Sequence, residues 1–187
     1  MIDRNMFIMD FETTGVNVFH TGETRDIPIE IGLIVTDPKL NILETYESFI
    51  TPKSNYFNQD DWIGDQIYAY NVHKINYTDW INRSIGYQVC RDELIKLADK
   101  YTTINPNRLK QVKPIIISDN AVFETACIRQ IFGDDYDYRD FFHYSTWDSN
   151  ILLENTVGDP IPVHRALRDC GVLHRNLVRA FDRLNWL

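Results

Sequence analysis

Three apolar segments crowd the first 50 residues of this 187-residue chain, and they restrict the kind of sheet it can build. Met6 to Asp10 is apolar and ends at an acidic turn, as a buried strand does. Ile27 to Val35 (IPIEIGLIV) is rich in β-branched residues and predicts a second strand, stopped by the turn signal Asp37-Pro38. Leu43 to Ile50 predicts a third, closed by Pro52. Short connections between successive strands predict an antiparallel meander.

The rest of the chain alternates helix and strand signals. Residues 53–78 are aromatic and Asn-rich with no clear period. Ile81, Ile85, Val89, Leu94, Leu97 and Tyr101 predict one helix over 79–101. Pro114 introduces a short buried strand at Ile115 to Ile117. Ala121 to Phe132 predicts a helix stopped by Gly133, with Asn120 as N-cap. A short strand is expected within Phe141 to Trp147 and a helical stretch over 148–155. Pro160 and Pro162 then stiffen the approach to a last helix over His164 to Asn185. The whole predicts an α/β fold in one domain, 1–187, with a mixed central sheet.

Apolar residues make up 44 % of the chain, so a core can form without disulfides or structural zinc. Cys90, Cys127 and Cys170 are odd in number, widely spaced and predict free thiols in a reducing compartment. The N-terminus is too short and too charged for a signal peptide, and no apolar run approaches the roughly 20 residues needed to span a bilayer. A soluble, cytoplasmic protein is expected, with no membrane partner. The net charge of −8 argues against tight, long-footprint binding of nucleic acid. It does not argue against gripping a few terminal nucleotides at an acidic site, where bound cations supply the positive charge.

Residues 8–15 read IMDFETTG. Asp10 and Glu12 are two apart on a predicted strand, so they point to the same side. Two such carboxylates repel unless a cation or a proton joins them. Neither has a basic neighbour in sequence, and carboxylate oxygens suit hard ions such as Mg²⁺ or Mn²⁺. A bare DxE pair is ordinarily two solvated acids at a strand end. Thr13, Thr14 and Gly15 add a tight turn and backbone N–H groups beside the acids.

DFETTG resembles the first motif of the DEDD exonuclease superfamily, which includes polymerase proofreading subunits and ribonuclease T. PVHRALRDC at 162–170 is similar to the H-x-A-x-x-D motif of its histidine-containing branch, DEDDh, on His164, Ala166 and Asp169. In IIISDNAVFE, Asn120, Ala121 and Phe123 match the middle motif, but the carboxylate is Glu124 where the family usually has Asp. Glu124 is favoured over Asp119 as the middle ligand. Glu30 matches an acid common on the second strand of the family, and Asn71 to Ile75 is faintly similar to its HGI turn.

The resemblance implies a ribonuclease H-like fold and a two-metal, 3′–5′ hydrolysis of terminal phosphodiesters to nucleoside 5′-monophosphates. Asp10, Glu12, Glu124 and Asp169 would hold two divalent cations, Mg²⁺ or Mn²⁺. His164 would take a proton from the attacking water, a task for a group titrating near neutrality. The partner would be the 3′ end of single-stranded DNA or RNA, near Phe11, Thr13, Thr14 and Asn120. The alternation of the strand places Phe11 in the core instead. Oligomeric state is left open, a homodimer included. So are two other functions: a weakened binding module that kept the fold, for which the Glu124 departure speaks, and a proofreading module of a replicase.

Two further features have an ordinary and a functional reading. Arg168, Arg175 and Arg179 share a helix face with Arg165 and Arg183 nearby; such a stripe is usually solvated, or else steers phosphate. Tyr56, Phe57, Trp62, Tyr68, Tyr70 and Tyr77 either pack or stack single-stranded bases. The polar loop Asn17 to Pro28 is expected to overhang the acids.

Overall fold

The computed structural model of the chain describes residues 3–19, 26–51, 71–149, 165–184 and 186. The three early strands form as expected: β1 (Met6–Thr13), β2 (Pro28–Thr36) and β3 (Ile42–Thr51). β2 pairs antiparallel with both neighbours, which makes the meander. α1 (Tyr77–Arg83), β4 (Ile85–Gly86) and α2 (Tyr87–Tyr101) follow, then a small antiparallel hairpin of β5 (Thr103–Asn105) and β6 (Lys110–Val112). β7 (Ile115–Ser118), α3 (Ala121–Phe132), a 3₁₀ turn at Tyr138–Asp140, β8 (Thr146–Asp148) and α4 (Ala166–Arg183) complete the described elements. The main sheet has the order β4-β3-β2-β1-β7-β8. β7 and β8 run parallel to β1, so the sheet is mixed.

The expected helix over 79–101 is two helices. Ser84 leaves the helical region at φ −72° and ψ 142°, and Ile85 and Gly86 pair with Ile50 and Thr51 of β3. A tertiary strand pairing outcompetes helix propensity there. The buried face also differs from the predicted stripe. Tyr87, Cys90, Leu94, Leu97 and Ala98 face inward, while Ile81 and Val89 are exposed. α3 starts and stops as read: the Asn120 side chain accepts from the Phe123 N–H, and Gly133 caps the far end. The strand expected within 141–147 is shorter and later, at Thr146–Asp148. Of the 148–155 stretch only Asp148, which ends that strand, and Ser149 are described. The three cysteines are free and buried. No helix among the described residues is long and apolar enough to cross a membrane.

Strand alternation divides the core into two layers. Phe7, Met9, Phe11, Ile31, Leu33 and Val35 pack with Cys90, Leu94, Cys127 and Ile128 of α2 and α3. Met6, Ile8 and Ile34 pack on the other face with Cys170, Leu173 and Leu177 of α4. The two carboxylates of β1 belong to this second face, because Asp10 lies opposite Gly32 and Glu12 opposite Glu30. α4 crosses so closely that a Cβ on Gly32 would lie 2.1 Å from the Leu167 nitrogen and 2.2 Å from the Ala166 carbonyl carbon. The Cys170 thiol donates to the Gly32 carbonyl at 3.2 Å in the same crossing.

Only a glycine fits that contact, since both colliding groups are backbone. Gly32→Ala should therefore lower stability by about 2–3 kcal/mol, as overpacking of a core does. Chemical denaturation of the two proteins checks it; a change near zero would show that α4 lies farther from β2 than described.

Candidate metal centre at the strand ends

β1, β7 and β8 are parallel, so their carboxyl ends share one edge. Crevices at such ends are where open α/β sheets bind ligands. Each of these strands delivers an acid there. β1 carries Asp10 and Glu12, Asp119 follows β7 directly, and β8 ends on Asp148. Two helices add one each: Glu124 in the first turn of α3 and Asp169 in the first turn of α4.

Asp10, Glu12 and Asp169 each bring a carboxylate oxygen to within 4.8 Å of the others. Glu12, Glu124 and Asp169 are buried, at 7 %, 3 % and 5 % exposure. Burial and mutual repulsion drive all the resolved shifts upward. Asp10 is raised well above its ordinary range, first by burial and then by Glu124, Glu12, Asp169 and Asp119. Glu12 is pushed up to about 8 by burial, Asp169 and Glu30, with Arg165 pulling the other way. Glu124 is likewise pushed up to about 8 by burial, Asp119, Asp148 and Glu12. Among its neighbouring charges, Asp10 feels Glu124 most, which puts Glu124 at the same cluster.

One atom in this cluster is conspicuous. Glu124 Oε2 is buried and has no hydrogen-bond partner among the described residues. A buried carboxylate oxygen without a donor is costly unless a proton or a cation meets it. Asp119 differs, since it accepts from the Ser149 hydroxyl at 3.4 Å. The all-oxygen donor set is that of a Mg²⁺ or Mn²⁺ site and fits such an ion.

The turn after the acids is built by its own residues. The Thr14 N–H donates to the Ile27 carbonyl at 3.0 Å, and its hydroxyl donates to Asp26 at 3.2 Å and accepts from the Ile27 N–H at 2.9 Å. The Thr13 hydroxyl donates to the Gly15 carbonyl at 2.6 Å. A Cβ on Gly15 would meet the Asp26 carboxylate at 2.6 Å. Across the gap, the Gln130 amide of α3 donates to the Val18 and Asp26 carbonyls and so ties both ends of the loop. Phe11 is 5 % exposed and packs in the core layer with α3. Asn120 is exposed at the lip of the site. His164 lies outside the described residues, as do Tyr56, Phe57, Trp62, Tyr68 and Tyr70. Arg168, Arg175 and Arg179 are exposed on α4.

Residues 7–64 match the RNase T exonuclease family model. The resemblance to the DEDDh exonucleases holds, in the first motif and in the fold. The chain is similar to the zinc-bound form of the E. coli ExoI–ssDNA complex, at 17 % identity over 98 % of this chain and 42 % of that one, with a TM-score of 0.68. It is also similar to E. coli exonuclease I in complex with a dA16 oligonucleotide, at 18 % identity over 97 % of this chain and 43 % of that one, with a TM-score of 0.67. The chain thus spans less than half the length of these proteins, and the likeness is one of fold. No curated protein matches the sequence.

Two participants escaped the sequence reading. Asp148 accepts from the Ala121 N–H at 3.4 Å and raises Glu124. Its signal was an acid at the end of an expected strand, as Asp10 is at the end of Met6 to Asp10. Arg165 is an ion-pair partner of Glu30, not a member of the exposed stripe.

The upward shifts set a pH dependence. Glu12 and Glu124 go from an ordinary 4.5 to about 8 in the folded chain. Between those values the native state holds protons that the unfolded chain has released. Stability is then fully present below the lower value and is lost as pH rises through the upper one. In chelator, the melting temperature should fall between about pH 5 and about pH 8, and Asp10→Asn should flatten that fall. Thermal melts across this range check it; a melting temperature that rises with pH would mean the carboxylates are not buried together.

Proposed function

We propose that the chain is a metal-dependent 3′–5′ exonuclease that releases nucleoside 5′-monophosphates from single-stranded ends. The observation that carries this is the convergence of Asp10, Glu12 and Asp169 within 4.8 Å, with the buried, donorless Glu124 oxygen beside them. Four acids in one buried place are a poor way to stabilise a fold and a good way to hold divalent cations. The match of residues 7–64 to the exonuclease family supports phosphodiester hydrolysis as the reaction. The similar structures include complexes with ssDNA, which supports a single strand as substrate and DNA as the first choice to test.

Asp10, Glu12, Glu124 and Asp169 would hold two cations, Mg²⁺ or Mn²⁺. When bound, such a pair would supply charge that polarises a phosphate and offsets charge on the attacking and leaving oxygens. His164 immediately precedes Arg165, whose position is fixed against β2, and is the proposed base for the attacking water. Asn120, at the α3 N-terminus, and the Thr13–Thr14 turn are proposed to border the terminal nucleotide. The tied loop at Val18 and Asp26 gives that border a fixed edge.

Labelled single strands should shorten stepwise from the 3′ end with Mg²⁺ or Mn²⁺ and stay intact in chelator. Metal sites of this kind contribute several kcal/mol, so Asp10→Ala should cut kcat by roughly 10³-fold or more while the fold persists. Wild-type protein that releases no mononucleotide from matched DNA and RNA oligomers with either ion would overturn the proposal. For the middle ligand, Glu124→Gln should raise the Mn²⁺ needed for half-maximal activity sharply, and Asp119→Asn should leave it near wild type. The reverse ranking would move the ligand to Asp119.

A further inference from the structure

Glu30 is the acid that the site does not use. It lies opposite Glu12 in the β1–β2 ladder and is 1 % exposed, so it is close enough to be mistaken for a ligand. Both of its oxygens are taken. Oε1 accepts from Arg165 Nε at 3.1 Å and from Nη2 at 2.7 Å. Oε2 accepts from Arg165 Nε at 3.1 Å and from the Ala166 backbone N–H at 3.2 Å. The guanidinium also approaches Glu47 at 3.9 Å and the Phe49 ring at 5.6 Å.

These contacts do two things at once. Arg165 is the N-cap residue of α4, yet its side chain makes no cap bond. The first turn of a helix has N–H groups that need acceptors, and an anion there is favoured by the helix dipole. Glu30 supplies both from the neighbouring strand. The pairing also fixes Arg165 itself, and the Asp169 N–H donates to the Arg165 carbonyl at 3.0 Å. Asp169 is thus one hydrogen-bonded turn from the clamp. Gly32 sets how close α4 lies, and Glu30 sets where it begins.

We propose that Glu30 and Arg165 are a positioning pair that sets the start of α4 and so holds Asp169 against Asp10 and Glu12 for a divalent cation. This rests on the reading of those carboxylates as metal ligands. Neither Glu30 nor Arg165 belongs to the carboxylate group that would hold the ion. Arg165 also offsets part of the effect of Glu30 on Glu12.

Outer partners that orient a metal ligand are typically worth roughly 10- to 100-fold in metal affinity. E30Q keeps the side-chain shape and one good acceptor but loses the charged fork. R165K keeps the charge, the Glu30 carboxylate and the Ala166 N–H bond, and loses only the bidentate geometry. Mn²⁺ titration by calorimetry, below the melting temperature of each variant, should show affinity reduced by roughly 10-fold or more in both. The kcat on an oligonucleotide should fall with it while KM moves little, and E30Q/R165K together should be no worse than the weaker single variant. A purely structural pair would lower the melting temperature and leave the Mn²⁺ affinity of the folded protein unchanged. That result in R165K overturns the proposal even if E30Q fails to fold. If the wild type binds Mn²⁺ and both variants bind it equally, only the positioning role falls. If the wild type binds none, the metal reading falls and takes this one with it.

Discussion

The site depends on how closely one helix can lie on one strand. α4 reaches β2 at Gly32, where its own backbone occupies the space of a missing side chain. Farther away, Asp169 could not come within 4.8 Å of acids that sit on β1. The same approach lets the Cys170 thiol reach the Gly32 carbonyl and lets Glu30 reach the Ala166 N–H. Three contacts between residues 166 and 170 therefore fix the helix against the sheet, and the carboxylate is carried in with it. Loop-borne ligands would not be held as well, because loops are more mobile than packed elements.

What this geometry brings together resists being brought together. Asp10 has Glu124, Glu12, Asp169 and Asp119 all raising it, on top of its own burial. In the absence of a counter-charge, protons fill that role, which is why Glu12 and Glu124 are held near 8. The rest of the fold must supply the stability that this corner lacks. It does so through two apolar layers, one on each side of the sheet, and through individual buried polar groups that find partners. Trp80 shows the latter: its indole N–H donates to both the Ile29 and Ile50 carbonyls, locking α1 over β2 and β3. The overall charge of −8 has a local reading in the same terms. Part of it is concentrated in this cluster of carboxylates.

Local chemistry was legible in the sequence and long-range pairing was not. The IMDFETTG run could be read because its logic is contained in eight residues: a strand, two acids on one side, and a turn at Thr13 to Gly15. α3 was legible to the residue because Asn120 and Gly133 are strong local signals at its two ends. The break at Ser84 was not, because it is imposed by a strand that pairs with β3 more than 30 positions away in sequence. Glu30 and Arg165 are 135 positions apart. Nothing near either residue names the other, and an Arg beside four more on one helix reads naturally as surface. Asp148 was missed for the same reason, since it counts only once β8 is known to lie parallel to β7.

Glu124 is where the sequence departs from the DEDDh pattern it resembles, and the fold supplies a physical setting for the longer side chain. α3 packs on the layer of Phe7, Met9 and Phe11, whereas Asp10 and Glu12 lie on the layer of α4. A carboxylate from α3 must therefore reach past the strand end to approach the others. The Asn120 cap fixes the first turn of α3, and the Glu124 N–H donates to the Asn120 carbonyl at 3.1 Å, so the backbone cannot move to help. The extra methylene of Glu gives that reach through side-chain length alone. Asp119 and Asp148 flank it and raise it, and a carboxylate so placed is held in its neutral form until a cation offsets the repulsion. The same crowding that makes Glu124 a poor free anion would favour a cation beside it, and the departure from Asp is compatible with the proposed centre.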